Sequence, residues 1–171
     1  MDRACRSLYR RGEQHMTTKE VVLSSMRSLG RADAENLLLR IPGMTDTEII
    51  NEEEKIPRYD NGKDYSGYTA NVFCVRDEDQ VWVLLQPYNA SHYPNTRPSG
   101  LRAMWGLKHT KNPKKAKPYV APYGTSGLYM KDECYIDDDG AIWISLVDNN
   151  PYSAEEYPQN WKKPEAENDP A

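Results

Sequence analysis

The sequence predicts a mainly β fold with a small α-helical N-terminal cap and two repeated small β modules. Three observations predict it. Helical apolar spacing stops near residue 55, short apolar runs broken by Pro, Gly, Asn and Asp follow, and one order of aromatic and acidic residues occurs twice.

The chain of 171 residues has room for one ordinary domain or two small ones. With 38% hydrophobic residues it can fill a modest core. Its aromatic set is twelve Tyr, four Trp and one Phe, and rings with a polar tip suit half-exposed binding faces as well as cores. A net charge of −4 gives no general attraction to nucleic acid. No apolar run approaches the roughly 18 residues that span a bilayer, so no membrane segment is expected. The N-terminus lacks the apolar stretch of a secretory signal, which implies synthesis in a cytoplasm. Cys5, Cys74 and Cys134 have no metal-ligand spacing and read as reduced thiols. No cofactor is expected.

Residues 1–15 carry Arg3, Arg6, Arg10 and Arg11 without apolar periodicity. They read either as a disordered basic leader or as a mistranslated segment ahead of a true start at Met16, since Arg10-Arg11-Gly12-Glu13 is what a purine-rich ribosome-binding site would encode. Residues 16–55 read as a cap of three short helices. Thr17 with Glu20 forms a capping box, Val22, Met26 and Leu29 make a first stripe, and Gly30 can end that helix. Ala34, Leu37, Leu38 and Ile41 make a second stripe, stopped by Pro42-Gly43. Thr45 with Glu48 caps a third. The strongest strand signals are residues 81–85 and 141–147, both rich in β-branched and aromatic residues. Residues 162–171 lack an apolar anchor and read as a disordered tail.

Between cap and tail the chain repeats itself. Tyr68 precedes Trp82 by the interval that separates Tyr129 from Trp143, and Asp77-Glu78-Asp79-Gln80 falls where Asp137-Asp138-Asp139-Gly140 falls. Each half continues with an Asn-containing loop, a Tyr-Pro pair (Tyr93-Pro94, Tyr157-Pro158) and a closing Trp, Trp105 or Trp161. This predicts a first β repeat over 65–105 and a second over 123–161, joined by a basic linker over 106–122. The run Asp137-Asp138-Asp139-Gly140 lacks the alternation and the distal Glu of a calcium loop and reads as a hairpin turn. The lysines of 108–117 could meet an anionic polymer, but no aromatic residues interleave them, so a solvated linker is expected and nucleic acid is not.

The second half resembles the chitin-binding type 3 modules, the grouping of carbohydrate-binding families 5 and 12. Tyr129, Lys131-Asp132, Cys134, the turn at Gly140, Trp143, Pro158 and Trp161 carry the resemblance, with Tyr123 in place of the usual leading Trp and Lys131 in place of Gly. The stretches around Tyr129–Asp132, Ile144–Asn150 and Tyr157–Trp161 are similar to modules in small structural proteins of phages and prophages of Gram-positive bacteria. The resemblance implies a non-enzymatic carbohydrate-binding role toward chitin or a cell-wall glycan. It also implies a bacterial origin, placement in a virion or outside the cell after assembly or lysis, and other phage tail proteins as partners. The alternative is a purely structural tail adaptor that reuses the fold and binds no sugar.

Sugar rings present C–H faces that flat aromatic rings accept, with polar neighbours fixing orientation. Tyr123, Trp143, Tyr152 and Tyr157 are the candidate rings, and Asn149 and Asn150 the hydrogen-bonding neighbours. The competing role for Trp143, as for Trp161, is core packing. Few rings per copy make a weak site, so many copies acting together are expected. No nucleophile elbow, HExxH or phosphate loop is present, His92 and His109 have no recognisable partners, and the acidic residues fall in turns or short helices. No catalytic residue is expected.

Overall fold

The computed structural model describes residues 17–165. The expectations for the leader, for a start at Met16, for Cys5 and for the end of the tail lie outside the described residues. The expected class holds: a mostly β body of two small sheets carries a helical cap at its N-terminal side.

Both capping boxes form. Thr17 Oγ1 accepts the Glu20 N–H while the Glu20 carboxylate accepts the Thr17 N–H, and Thr45 and Glu48 do the same. The cap, however, contains one long helix in place of two short ones. Helix α1 (Thr18–Arg40) runs straight through Gly30. A mid-helix Gly costs only about 1 kcal/mol relative to Ala, and good helix formers on both sides outweigh it. The true stop is the turn at Ile41-Pro42-Gly43. Helix α2 (Asp46–Asn51) follows. The first stripe does not face a core: Val22, Met26 and Leu29 are exposed, and α1 buries only Leu37, with Ile41 just beyond its end.

The first sheet is antiparallel, from β1 (Cys74–Asp77), β2 (Gln80–Leu84) and β3 (Trp105–Leu107). Its alternation serves two cores. Val75, Trp82 and Leu84 face an aromatic cluster with Tyr65, Phe73, Tyr88 and Trp105, while Cys74, Val81 and Val83 face the cap residues Leu37, Ile41, Ile49 and Ile50. Strand β2 is therefore buried on both faces. Its hairpin turn places Glu78 and Asp79 at φ 50° and 57°, as a two-residue primed turn requires. Arg97 holds that turn by pairing with Asp77 at 2.8 Å and Glu78 at 3.7 Å.

The second sheet has the order β4 (Lys117–Pro118), β5 (Cys134–Ile136), β6 (Ile142–Ser145) and β7 (Trp161–Lys162). Several pairings match those of the first sheet. Arg58 bridges Arg76 in parallel as Pro118 bridges Ile136; Val75 pairs with Trp82 as Tyr135 pairs with Trp143; Leu84 pairs with Trp105 as Ser145 pairs with Trp161. Differences also stand. The β5–β6 turn is longer and uses Gly140 at φ 80°, and Ile142 and Ile144 are only half-buried. Tyr65, not Tyr68, occupies the buried ring position in the first half that Tyr129 occupies in the second.

The segment expected as a solvated linker is part of the body. Residues 105–110 are buried, starting with β3. Lys108 pairs with Asp46 at 2.6 Å, the Lys111 N–H donates to Thr47 Oγ1, and Lys115 and Lys117 both reach Glu53. These lysines neutralise the acidic end of the cap, so charge complementarity between two distant stretches orders what composition alone reads as a spacer. Lys162, expected in the tail, pairs with Ile144 in β7.

Candidate functional site

The site is built on the β5–β6 hairpin and the loop that returns to β7. Asp137 organises the turn: its Oδ1 accepts the N–H groups of Asp139 and Ala141, and its Oδ2 accepts the Trp143 indole N–H at 2.7 Å. The indole donor holds the Asp137 carboxyl below its ordinary range. The acidic run is thus a turn, and Trp143 is pinned by it. The ring is half-buried against the small core formed by Tyr129, Tyr135, Ala154 and Trp161, and the Lys163 ammonium lies 5.0 Å from its centre. Beside it opens a cleft of about 490 Å³ with Tyr119 and Trp143 in its wall and Asp138, Asp139 and Glu155 at its rim.

The loop after β6 carries the remaining candidates, and the structure divides them. Tyr152 and Tyr157 are 50% and 42% exposed, with ring centres 5.8 Å apart and planes inclined by 36°. Asn149 is exposed at φ 55°. Asn150 is not a surface group: it is fully buried, exchanges backbone hydrogen bonds with Tyr129, and donates from Nδ2 to Ser145 Oγ. A buried amide whose partners are all internal has no capacity left for a sugar, so Asn150 is a scaffold residue. Tyr123 is 59% exposed in a small turn bridged to Ser126. The candidates therefore form one close pair, Tyr152 with Tyr157, flanked by Asn149, with Trp143 and Tyr123 elsewhere on the module.

Three rings that the sequence reading did not single out for the site, or assigned to the core, fix this loop from beneath. Trp161 donates its indole N–H to the Tyr152 carbonyl at 3.0 Å, Tyr135 OH accepts the Ala154 N–H at 2.8 Å, and Tyr119 OH donates to the Pro151 carbonyl at 3.2 Å. Ser153 and Glu156 close the next turn reciprocally. The loop that presents Tyr152 and Tyr157 is consequently preorganised, which lowers the ordering cost of any ligand it takes. Tyr-rich composition hinted at such rings, but which hydroxyl reaches which carbonyl depends on the packed sheet.

The matching part of the first sheet differs in chemistry. A cleft of about 580 Å³ there is lined by Arg58, Arg76, Arg97, Asp77, Glu78 and Asp79, while Trp82 and Trp105 are buried. Trp82 donates to the Asp77 carbonyl, leaving Asp77 Oδ2 buried without a partner, and burial raises that carboxyl.

Two buried titratable groups lie at the junction of cap and second sheet. Burial pushes the Glu133 carboxyl up to about 7, although it accepts the Met130 N–H at 2.8 Å. Burial pushes His109 down to about 4; its Nε2 lies 2.9 Å from the Gly127 carbonyl oxygen and its ring stacks on Tyr129 at 3.8 Å. His109 has partners after all, and they are structural. Cys74 and Cys134 are free and buried, with thiols raised to about 12 by burial, so neither is a thiolate near neutrality. Among the described residues no three His, Cys, Asp or Glu side chains are grouped to hold a metal ion, and no helix is long and apolar enough to cross a membrane. No family model matches the chain, and a search of curated proteins finds no match.

Proposed function

We propose that the chain is a non-catalytic glycan-binding protein in which two related β units have diverged, the first into a scaffold and the second into the sugar-facing module. The observation that carries this is the contrast between the two central strands. Strand β2 is buried on both faces, whereas β6 is half-exposed through Trp143, and the loop after it holds two exposed tyrosines over a fixed base. The resemblance to chitin-binding type 3 modules supplies the ligand class, chitin or a cell-wall glycan, and the setting, a phage or prophage tail.

Magnitude favours many copies. One tyrosine stacked on one sugar removes on the order of 50 Å² from water, worth about 1 to 1.5 kcal/mol. Two such rings fall short of the roughly 4 kcal/mol of a millimolar site. An array on a virion would bind firmly through avidity. The adaptor reading draws support from α1, whose exposed apolar side chains suit a protein contact.

The test is retention on insoluble chitin and on Gram-positive cell wall, for the free protein and for a dense bead-bound array. The array is expected to bind where the free protein binds weakly, and Tyr152→Ala or Tyr157→Ala to lower retention with an unchanged melting temperature. Glycan oligomers in the same incubation should remain uncut. An array that retains no polysaccharide would overturn the sugar reading and leave the adaptor.

A further inference from the structure

Every residue from Thr17 to Asp33 is exposed, and α1 borders the body, across clefts with Lys55, Ile56 and Pro57, only from Arg27 onward, so its first nine residues stand clear for about 13 Å at 1.5 Å per residue. A helix of that length without tertiary cover is marginal in water. This one nonetheless carries Val22 and Leu29 in the open, Leu29 at 67% exposure, and then Leu39 at 82% beside the body.

Their spacing is regular. Val22, Ser25, Leu29, Ala32, Asn36 and Leu39 alternate by three and four residues, the heptad pattern of a coiled-coil seam. At about 100° per residue this line lies on the side of α1 opposite Leu37 and Ile41, which are buried in the core with Leu38 packed half-buried beside them. A second helix can therefore lie along the full length of α1 without meeting the sheets.

We propose that this face pairs with the same face of a second copy of the chain as a parallel, in-register two-stranded coiled coil. The occupant is a second copy because the face complements itself. In that register Val21 at a flanking g position meets Met26 at the e position of the other copy, while Arg40 at the last e position stays paired with Glu52 of its own chain at 2.7 and 2.9 Å. Asn36 falls at an a position opposite the other Asn36, an arrangement that selects two parallel strands over other assemblies. Its Oδ1 accepts from Arg40 Nε within the helix at 3.1 Å, which leaves the Nδ2 group to face the other copy. Ser25 and Ala32 at d positions let the helices approach closely but contribute little burial, so a weak dimer is expected. The pairing does not rest on the sugar reading.

The experiment uses the full chain in a Cys5→Ser background, leaving only the buried Cys74 and Cys134 as native thiols. Sedimentation equilibrium from about 5 to 200 µM, the range in which a weak dimer dissociates, should show a concentration-dependent monomer–dimer equilibrium. Val22→Glu with Leu29→Glu should raise the dissociation constant roughly 100-fold or more while the body melts unchanged, since both side chains are exposed. Leu23→Glu, off the seam, should leave the dimer intact. Asn36→Cys should cross-link two copies under mild oxidation, which an antiparallel pair would not allow. A monomer at every concentration overturns the proposal, as does a dimer that survives the double substitution or fails to cross-link through position 36.

Discussion

At the scale of single residues, the second sheet sorts its aromatics by what their polar tips bind. Trp161 is buried, meets Tyr129 and Tyr135 edge to face, and still donates its indole N–H to the Tyr152 carbonyl. One side chain thus closes the small core and fixes the exposed loop. Trp161→Ala removes both, and large aromatic deletions in a core cost about 3 to 5 kcal/mol. That is a large part of the 5 to 15 kcal/mol typical of a domain. The expected outcome is a strongly lowered midpoint in urea denaturation, whereas Tyr152→Ala leaves the midpoint unchanged because its ring contributes no core contact. Equal midpoints for Trp161→Ala and the parent would show that the ring is dispensable.

At the scale of elements, α1 shows how far local signals reach. Its start follows from Thr17 and Glu20 alone, because a capping box is satisfied within one turn. Its length does not, because Gly30 is compatible with both a stop and a continuation. A Cβ placed at Gly30 meets nothing within 4 Å, and the residue is not in the left-handed region. Gly30→Ala should therefore raise helix stability by about 1 kcal/mol and increase the helical circular dichroism signal. A loss of signal would mean that the chain needs glycine there for a bend.

At the scale of the whole molecule, the lysine-rich segment joins cap, first sheet and second sheet. Lys108 pairs with Asp46, Gln80 donates to the Pro118 carbonyl, and Cys134 lies against Thr110 in an isolated bridge. Glu133 is buried at this junction, where Asp46 adds to the cost of ionising it. The folded chain holds the Glu133 proton more tightly than the unfolded chain does. Its contribution thus favours folding below about pH 4.5 and is lost as the pH rises to about 7. His109 acts in the opposite sense: its contribution is full above 6.5 and lost as the pH falls to about 4. Glu133→Gln keeps an acceptor for the Met130 N–H and leaves His109 in place, so the histidine cancels in the comparison. The variant should gain melting temperature over the parent at pH 8 relative to pH 5 by a few degrees, at about 2 to 4 °C per kcal/mol for a chain of this size. A difference that is the same at both pH values would mean that Glu133 titrates normally.

The sequence by itself determined the local features of this protein. Both capping boxes, the two Trp-bearing hairpin strands, the turn at Gly140 and the division into helical cap and β body depend on residues a few positions apart, and such contacts survive any tertiary arrangement. Part of the candidate site was legible for the same reason, since Tyr152 and Tyr157 follow a loop signal that places them outside the strands. Tertiary structure alone decided the rest. Asn150 moved from the surface to a buried knot, the lysines of the supposed linker found Asp46 and Glu53, and Val22, Met26 and Leu29 were left in the open. Each of these depends on which distant surface arrives, and an amide, an ammonium or an apolar stripe has the same sequence signature whether or not its partner comes.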